Sequence, residues 1–236
     1  MSYAYTSVTE PPILSVVIPC RGDAGPLARL LPQIKADDKV EVIVVCDSDL
    51  NDEVSSVCTS NGAQCIVLNE ARGVRLRRGA ELASAPNYWF LHADAELANN
   101  AVKAVKQAFS NGQIGGYFRF RLLGPRSLRK RLIEHGVAMR CKFGGIPYGD
   151  QAIFVTAAEY RRAGGHEPLL LFDEFRLVRQ LMRSDQFHLL PISVGVDARR
   201  WEKKSLLVQT LKNRFYSLAF TMGVSPSRLA RWYYNG

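Results

Sequence analysis

Three pairs of acids stand in order along the chain, at Asp47/Asp49, Asp94/Glu96 and Asp173/Glu174, and the middle pair sits in the stretch YWFLHADAEL. Carboxylates bind hard cations, accept protons or cap helices, so each pair has to be weighed by its setting. Asp94 follows Tyr88, Trp89, Phe90 and Leu91, an unbroken apolar run that predicts a strand buried on both faces inside a parallel sheet. Polar groups just past such a strand stand where open α/β sheets bind their ligands. His92 and Asp94, two residues apart, can point to one side of an extended backbone and offer a nitrogen and an oxygen to one cation. The other reading of His92 is a hydrogen bond to neighbouring backbone. Asp47, Asp49 and Asp52 admit two readings equally, capping of a helix or turn and contact with a ligand. Asp173 and Glu174 open a helical stretch with Leu177, Leu181 and Met182 on its apolar side, where acids also suit the helix dipole.

The elements that must hold these residues follow a clear rhythm in the first half. Apolar runs of strand length occur at Leu14 to Pro19, Val42 to Cys46, Gln64 to Leu68 and Tyr88 to Leu91, each followed by a stretch of helical length and composition. That pattern predicts an α/β fold with a doubly wound, mostly parallel, Rossmann-like sheet. The runs ending in PCRGDAG, CDSDLNDE and HADAEL should bring their polar ends to one cleft. Next, GGYFRFRLLG sets Phe118, Phe120 and Leu122 against Tyr117, Arg119 and Arg121, the period of a half-exposed strand. The rhythm then changes to a basic helix from about Ser127 to Lys142, a loop GGIPYGDQ, a short strand at Ala152 to Val155, and helices near Thr156 and Asp173.

Near the C-terminus, Leu206, Leu207, Leu211, Phe215, Leu218, Ala219 and Met222 recur at helical spacing beside Lys203, Lys204, Lys212 and Arg214. Ser225-Pro226 starts a second helix bearing Arg228 and Arg231. The stripe reads either as a cover for the sheet or a partner subunit, which would make a homodimer, or as a basic amphipathic helix on an anionic membrane. Without linker or repeat, one domain over 1–236 is expected, with a first half at about 13–112, a distinct second half at about 113–204 and C-terminal helices at about 205–236.

Composition excludes little. At 236 residues the chain can bury one large core, and 31 Lys plus Arg against 22 Asp plus Glu leave a net charge of +9, which suits an anionic partner. The arginines are dispersed through ARGVRLRRG, RSLRKR, EYRRAGG and DARRWEKK with no basic arm or aromatic platform, so a nucleic-acid partner is not expected. The five cysteines show no CxxC spacing, which argues for free thiols over disulfides or zinc. No apolar run is long enough for a membrane span, and MSYAYTSVTEPPI lacks a basic region followed by an apolar core. The expected location is cytoplasmic, or peripheral at the inner membrane surface.

The motifs LSVVIPC, VIVVCDSD, FLHAD, YGDQAIFV, FDEFRLVRQL and DARRW, in this order over roughly residues 13 to 234, resemble the family 2 glycosyltransferases of GT-A fold. The chain is most similar to the small bacterial subgroup of arsenosugar-biosynthesis-associated glycosyltransferases. The resemblance implies that His92-Ala93-Asp94 stands in place of the family's DxD motif, with Asp94 and His92 holding a divalent cation, Mn2+ or Mg2+, against the diphosphate of a nucleotide sugar. It further implies that Pro19, Arg21, Asp47 or its neighbour Asp49 lie beside the nucleoside, and that Arg72, Arg75 and Arg200 serve the diphosphate. Cys46 occupies the place of a frequent acid, and Arg77 stands where many relatives have asparagine. The family's Glu-Asp base pair appears reversed as Asp173-Glu174; Glu174 matches the base by position and Asp173 is the alternative. Asp150, a further catalytic candidate, would face the acceptor, small or lipid-linked, with Tyr148, Gln151 and Trp201, which makes about 13–112 the nucleotide-binding half and about 113–204 the acceptor half. The implied activity is inverting transfer of a hexosyl unit to a hydroxyl. A catalytically impaired nucleotide-sugar binder and a nucleotidyltransferase are the rivals, and PCRGDAGPL makes a poor phosphate loop for the latter.

Overall fold

The computed structural model describes residues 10–34, 39–47, 52–197, 215–216, 219–220 and 222–235. Strands β1 (Leu14–Cys20), β2 (Val40–Cys46), β3 (Gln64–Val67) and β4 (Asn87–Phe90) are joined by helices α1 (Ala24–Ile34), α2 (Asp52–Ser60) and α3 (Arg72–Leu82). They lie parallel in the order β3-β2-β1-β4. β1 is covered on both sides: Leu14, Val16 and Ile18 pack with Leu27, Leu30, Leu31 and Ile34 of α1, while Val17 faces Leu76 and Ala80 of α3. Gly79 permits that second contact, because a Cβ there would come within 2.3 Å of Val17 Cγ1. α3 therefore rides close on the sheet, with its arginine-rich N-terminal end over the ends of the strands.

Beyond β4 the sheet becomes mixed. β5 (Glu96–Leu97), α4 (Ala101–Ser110), β6 (Gly115–Leu122), α5 (Leu128–Lys142), a 3-10 turn at Gly149–Gln151, β7 (Phe154–Thr156), α6 (Ala157–Arg162), α7 (Phe175–Leu181) and β8 (Phe187–Val196) follow in order. β7 pairs antiparallel with β4 and β6, β8 runs parallel to β6, and β5 closes the eight-stranded sheet antiparallel to β8. β6 alternates as its sequence predicts, with Phe118, Phe120 and Leu122 inside and Arg119 and Arg121 outside. The basic helix also forms where expected, capped by Ser127, whose hydroxyl accepts from the Lys130 N–H at 3.2 Å.

β8 is not among the expected strands. FHLLPISVGV lacks a clean period of two, and Pro191 interrupts it next to the register shift between Phe118 and Arg119 of β6. The last helix, α8 (Pro226–Asn235), begins at the expected proline. Of the preceding stripe, Leu206, Leu207, Leu211 and Leu218 lie outside the described residues, Phe215 and Met222 are exposed, and Ala219 is buried with Tyr216 and with Leu229 of α8. Phe220, beside Ala219, stacks on Phe172 at 5.0 Å and meets Phe175 edge-on at 5.0 Å, so it packs onto the start of α7 and the segment before it.

Candidate active site

Two charged groups stand at the ends of the parallel strands. In the first, at the ends of β1 and β2, Asp47 lies 3.5 Å from the Arg75 guanidinium and 3.9 Å from that of Arg21. Arg75 also donates to the carbonyl of Cys20. Pro19 borders this group at the end of β1, where it pairs with Val45. Arg21 is exposed, whereas Arg75 is buried, and the burial lowers its pKa despite Asp47. Arg75 thus braces the Asp47 loop instead of facing an open diphosphate site. Asp49, Arg200 and Trp201 lie outside the described residues.

The second group centres on Arg72, at the N-terminal end of α3. One guanidinium nitrogen donates to Asp173 Oδ1 at 2.6 Å and lies 3.4 Å from Glu174 Oε2, while the other meets His92 Nε2 at 3.1 Å. Arginine can only donate, so Nε2 is the acceptor and that ring nitrogen has its lone pair turned to Arg72. The Gly149 N–H donates to Glu174 Oε1 at 2.9 Å. A Cβ on Gly149 would fall 2.3 Å from the Arg72 guanidinium, and one on Gly73 only 1.8 Å from the Glu167 carbonyl oxygen. Both glycines are what allow α3, the turn at 149–151 and the segment before α7 to close on one another. That segment is pinned by Gly73 N–H to Leu169 carbonyl at 3.2 Å and Glu167 N–H to Asp173 carbonyl at 2.8 Å.

Backbone in the left-handed region marks both carboxylate-bearing loops, at Ala152 (φ 50°) and Phe172 (φ 61°). Such conformations in non-glycine residues persist where surrounding contacts hold them. Here the Ala152 carbonyl accepts from the Trp89 indole at 3.1 Å, and Phe172 is stacked under Phe220.

The carboxylates differ in setting. Asp173 is 0% and Glu174 6% exposed. Burial pushes the Asp173 carboxyl well above its usual range, opposed by Arg72 and reinforced by the neighbouring Glu174 charge; its Oδ2 takes no hydrogen bond. For Glu174, burial is outweighed by Arg72, Asp173 and the Gly149 N–H, and its carboxyl is held low. Asp150 is half-buried, with Oδ1 shut from solvent and unpartnered. Burial raises it to about 6, against the pull of Arg140. Tyr148 carries the Arg140 guanidinium over its ring at 3.8 Å. Gln151 is buried, accepting from Arg140 at 3.0 Å and donating to the Phe118 carbonyl at 3.2 Å, so it fixes the turn and is not open to an acceptor.

Cation ligands are few. Among the described residues no three His, Cys, Asp or Glu side chains gather as a metal cage. His92 Nε2 faces Arg72, which leaves the half-buried Asp94 at the end of β4. One carboxylate fits a magnesium-type ion that draws its other ligands from substrate phosphates.

Sequence reading missed His166, which is buried behind the site with Nδ1 3.0 Å from the Tyr160 hydroxyl and its ring edge-on to Phe90. Burial lowers it to about 3, so it is a neutral brace for the segment leading to Asp173. A lone histidine in GGHEP carries no periodic signal that would have found it.

No protein-family model matches the sequence, and no curated protein matches it either. The architecture does match solved structures. S. aureus TarS 1–349 in complex with UDP superposes with a TM-score of 0.62 at 12% identity, covering 93% of this chain and 77% of that one. TarS 1–349 in complex with UDP-GlcNAc gives 0.59 at 13% identity, over 79% and 58% of the two chains. Glucosyl-3-phosphoglycerate synthase from Mycobacterium tuberculosis, in complex with phosphoglyceric acid, gives 0.52 at 16% identity, over 78% and 71%. A further TarS 1–349 structure is spanned over 60% of its length. At such identities the likeness speaks for the fold, and the fold is a GT-A-like mixed α/β sheet with flanking helices.

Proposed function

We propose that the protein is an inverting glycosyltransferase that moves a sugar from a nucleoside diphosphate to an acceptor hydroxyl. The observation that carries this reading is the gathering of His92, Arg72, Asp150, Asp173 and Glu174 past the end of β4 on a GT-A-like sheet, with Asp94 two residues beyond His92. The motif order supports the reading, since it resembles that of the family 2 enzymes and of the arsenosugar-associated subgroup. Arg21 and Asp47 flank the nucleoside, and a uridine nucleotide is the first donor to test because TarS was solved with UDP and UDP-GlcNAc. Asp94 would hold a divalent cation, which supplies charge neutralisation to the diphosphate when bound.

The chain's own residues account for the remaining chemistry. Arg72, fixed on three sides, is a permanent cation beside the departing diphosphate. Of the three carboxylates, Asp173 is sealed from substrate and Glu174 is tied to Arg72 and Gly149, so we assign proton acceptance to Asp150. Its value of about 6 suits a base working near neutrality. As Asp150 takes the hydroxyl proton, the acceptor oxygen bonds to the anomeric carbon from the face opposite the diphosphate. The carbon–oxygen bond to phosphate breaks, and the anomeric configuration inverts. A second reading makes Glu174 the base, since it matches the family's base by position.

Calorimetric titration with nucleoside diphosphates, followed by assays of sugar-nucleotide hydrolysis and transfer, tests the whole reading. Binding without turnover would favour the impaired binder. Asp150→Asn should lower the transfer rate by about two to four orders of magnitude with nucleotide affinity kept. The wild-type rate should fall as pH drops through about 6, where Asp150 takes up its proton. If Glu174→Gln alone abolishes transfer and leaves affinity intact, the base is Glu174.

A further inference from the structure

Helix α5 carries two apolar stripes, and the fold covers one of them. Ile133 and Val137 point inward onto Phe120 and Leu122 of β6. Leu128 and Leu132 are 74% and 64% exposed, and Phe143, capping the helix, is 74% exposed. At roughly 100° per residue these three and Met139 fall within about 60° around the axis, on the side away from Ile133 and Val137. A solvent-facing strip of large apolar residues on a monomer's surface marks a contact face.

The charges around the strip say what it meets. Arg131 and Lys142 border it on one side and Arg129 on the other, all exposed. The helix's one acid, Glu134, is turned toward the sheet, where it accepts from the Leu122 N–H at 2.9 Å and from both Arg126 nitrogens at 2.8 and 3.0 Å. The outward face is therefore apolar at its centre and uniformly basic at its margins. That layout complements an interface of acyl chains below acidic headgroups, where leucine and phenylalanine insert and arginine and lysine meet phosphate.

We propose that the outward face of α5 docks on an anionic lipid surface. The docking rests on this helix alone and does not depend on the transfer activity. Its last turn holds Arg140, which lies over Tyr148 and donates to Gln151, so docking brings the 148–151 turn up to the bilayer.

Full-length protein should pellet with phosphatidylcholine–phosphatidylglycerol vesicles and not with phosphatidylcholine alone, with less pelleting at high salt. Arg129→Glu/Arg131→Glu and, separately, Leu128→Ser/Leu132→Ser should each weaken vesicle affinity at least about tenfold. All four side chains are solvent-facing, so melting temperatures should stay near the parent's, which separates lost docking from lost folding. No pelleting, or pelleting that neither double variant alters, overturns the proposal. So does concentration-dependent dimerisation, without lipid, that the leucine variant abolishes, because the strip would then belong to a second copy of the chain.

Discussion

Arg75 and Arg72 lie one helical turn apart on α3, yet they serve two regions built on opposite principles. Around Arg75 the acid is matched: one guanidinium braces one aspartate and one carbonyl, leaving its own Nε without a partner, and the exposed Arg21 reaches the same carboxylate. Around Arg72 the charges are unsettled. One guanidinium faces two buried carboxylates and an imidazole, with Asp150 nearby and two carboxylate oxygens left without donors. A region with no buried carboxylate oxygen left open is scaffold. One that keeps buried carboxylate oxygens without donors is arranged for something that arrives later.

The contrast can be broken most directly by removing each guanidinium. Arg72→Gln strands two buried acids beside each other and should cost about 3–5 kcal/mol of stability. Arg75→Gln frees one half-exposed aspartate and one carbonyl and should cost only about 1–3 kcal/mol. Urea midpoints of the two variants measure the difference, and equal losses would show that both regions are scaffold. The Arg72 deficit should shrink in acid, where the abandoned carboxylates take up protons.

How much of this was legible in the sequence follows the same division. The ends of β1, β2 and β4 were readable, since continuous apolar runs stop abruptly at polar residues. The role of Arg72 was not, because its acidic partners lie 101 and 102 positions away and only the folded segment before α7 brings them back. Gln151 and Arg75 looked available for substrate as residue types, and burial assigned them to structure. β8 escaped notice because both its period and its proline speak against a strand. Only its pairing with β6 and β5 makes it one.

A subtler test uses pH. Asp173 keeps its proton in the folded state above the ordinary carboxylate range, so over that window the folded chain binds more protons than the unfolded one. Stability then falls as pH rises, with a slope of up to about 1.4 kcal/mol per pH unit from this group. Glu174, held low, contributes the opposite way: stability present above its unfolded value and lost as pH falls below it. Asp173→Asn should remove the first slope and leave the second. Unfolding free energies from acid to mildly alkaline pH will show whether the downward slope above the ordinary aspartate range disappears.

The smallest effect on stability, and the sharpest on ligand, is expected at Asp94. It is half-buried just beyond β4, and it belongs neither to the Arg75 brace nor to the Arg72 cluster. Asp94→Asn keeps shape and removes charge, so the folding free energy should move by no more than about 0.5 kcal/mol. If Asp94 supplies the one carboxylate for a cation shared with a diphosphate, the variant should bind UDP more weakly than the parent in the presence of manganese. In a metal chelator the two should bind alike, since Arg72 and His92 are untouched. Calorimetry under both conditions separates a ligand role from a general loss of charge. Equal affinity with manganese present would leave Arg72 as the cation that the diphosphate meets.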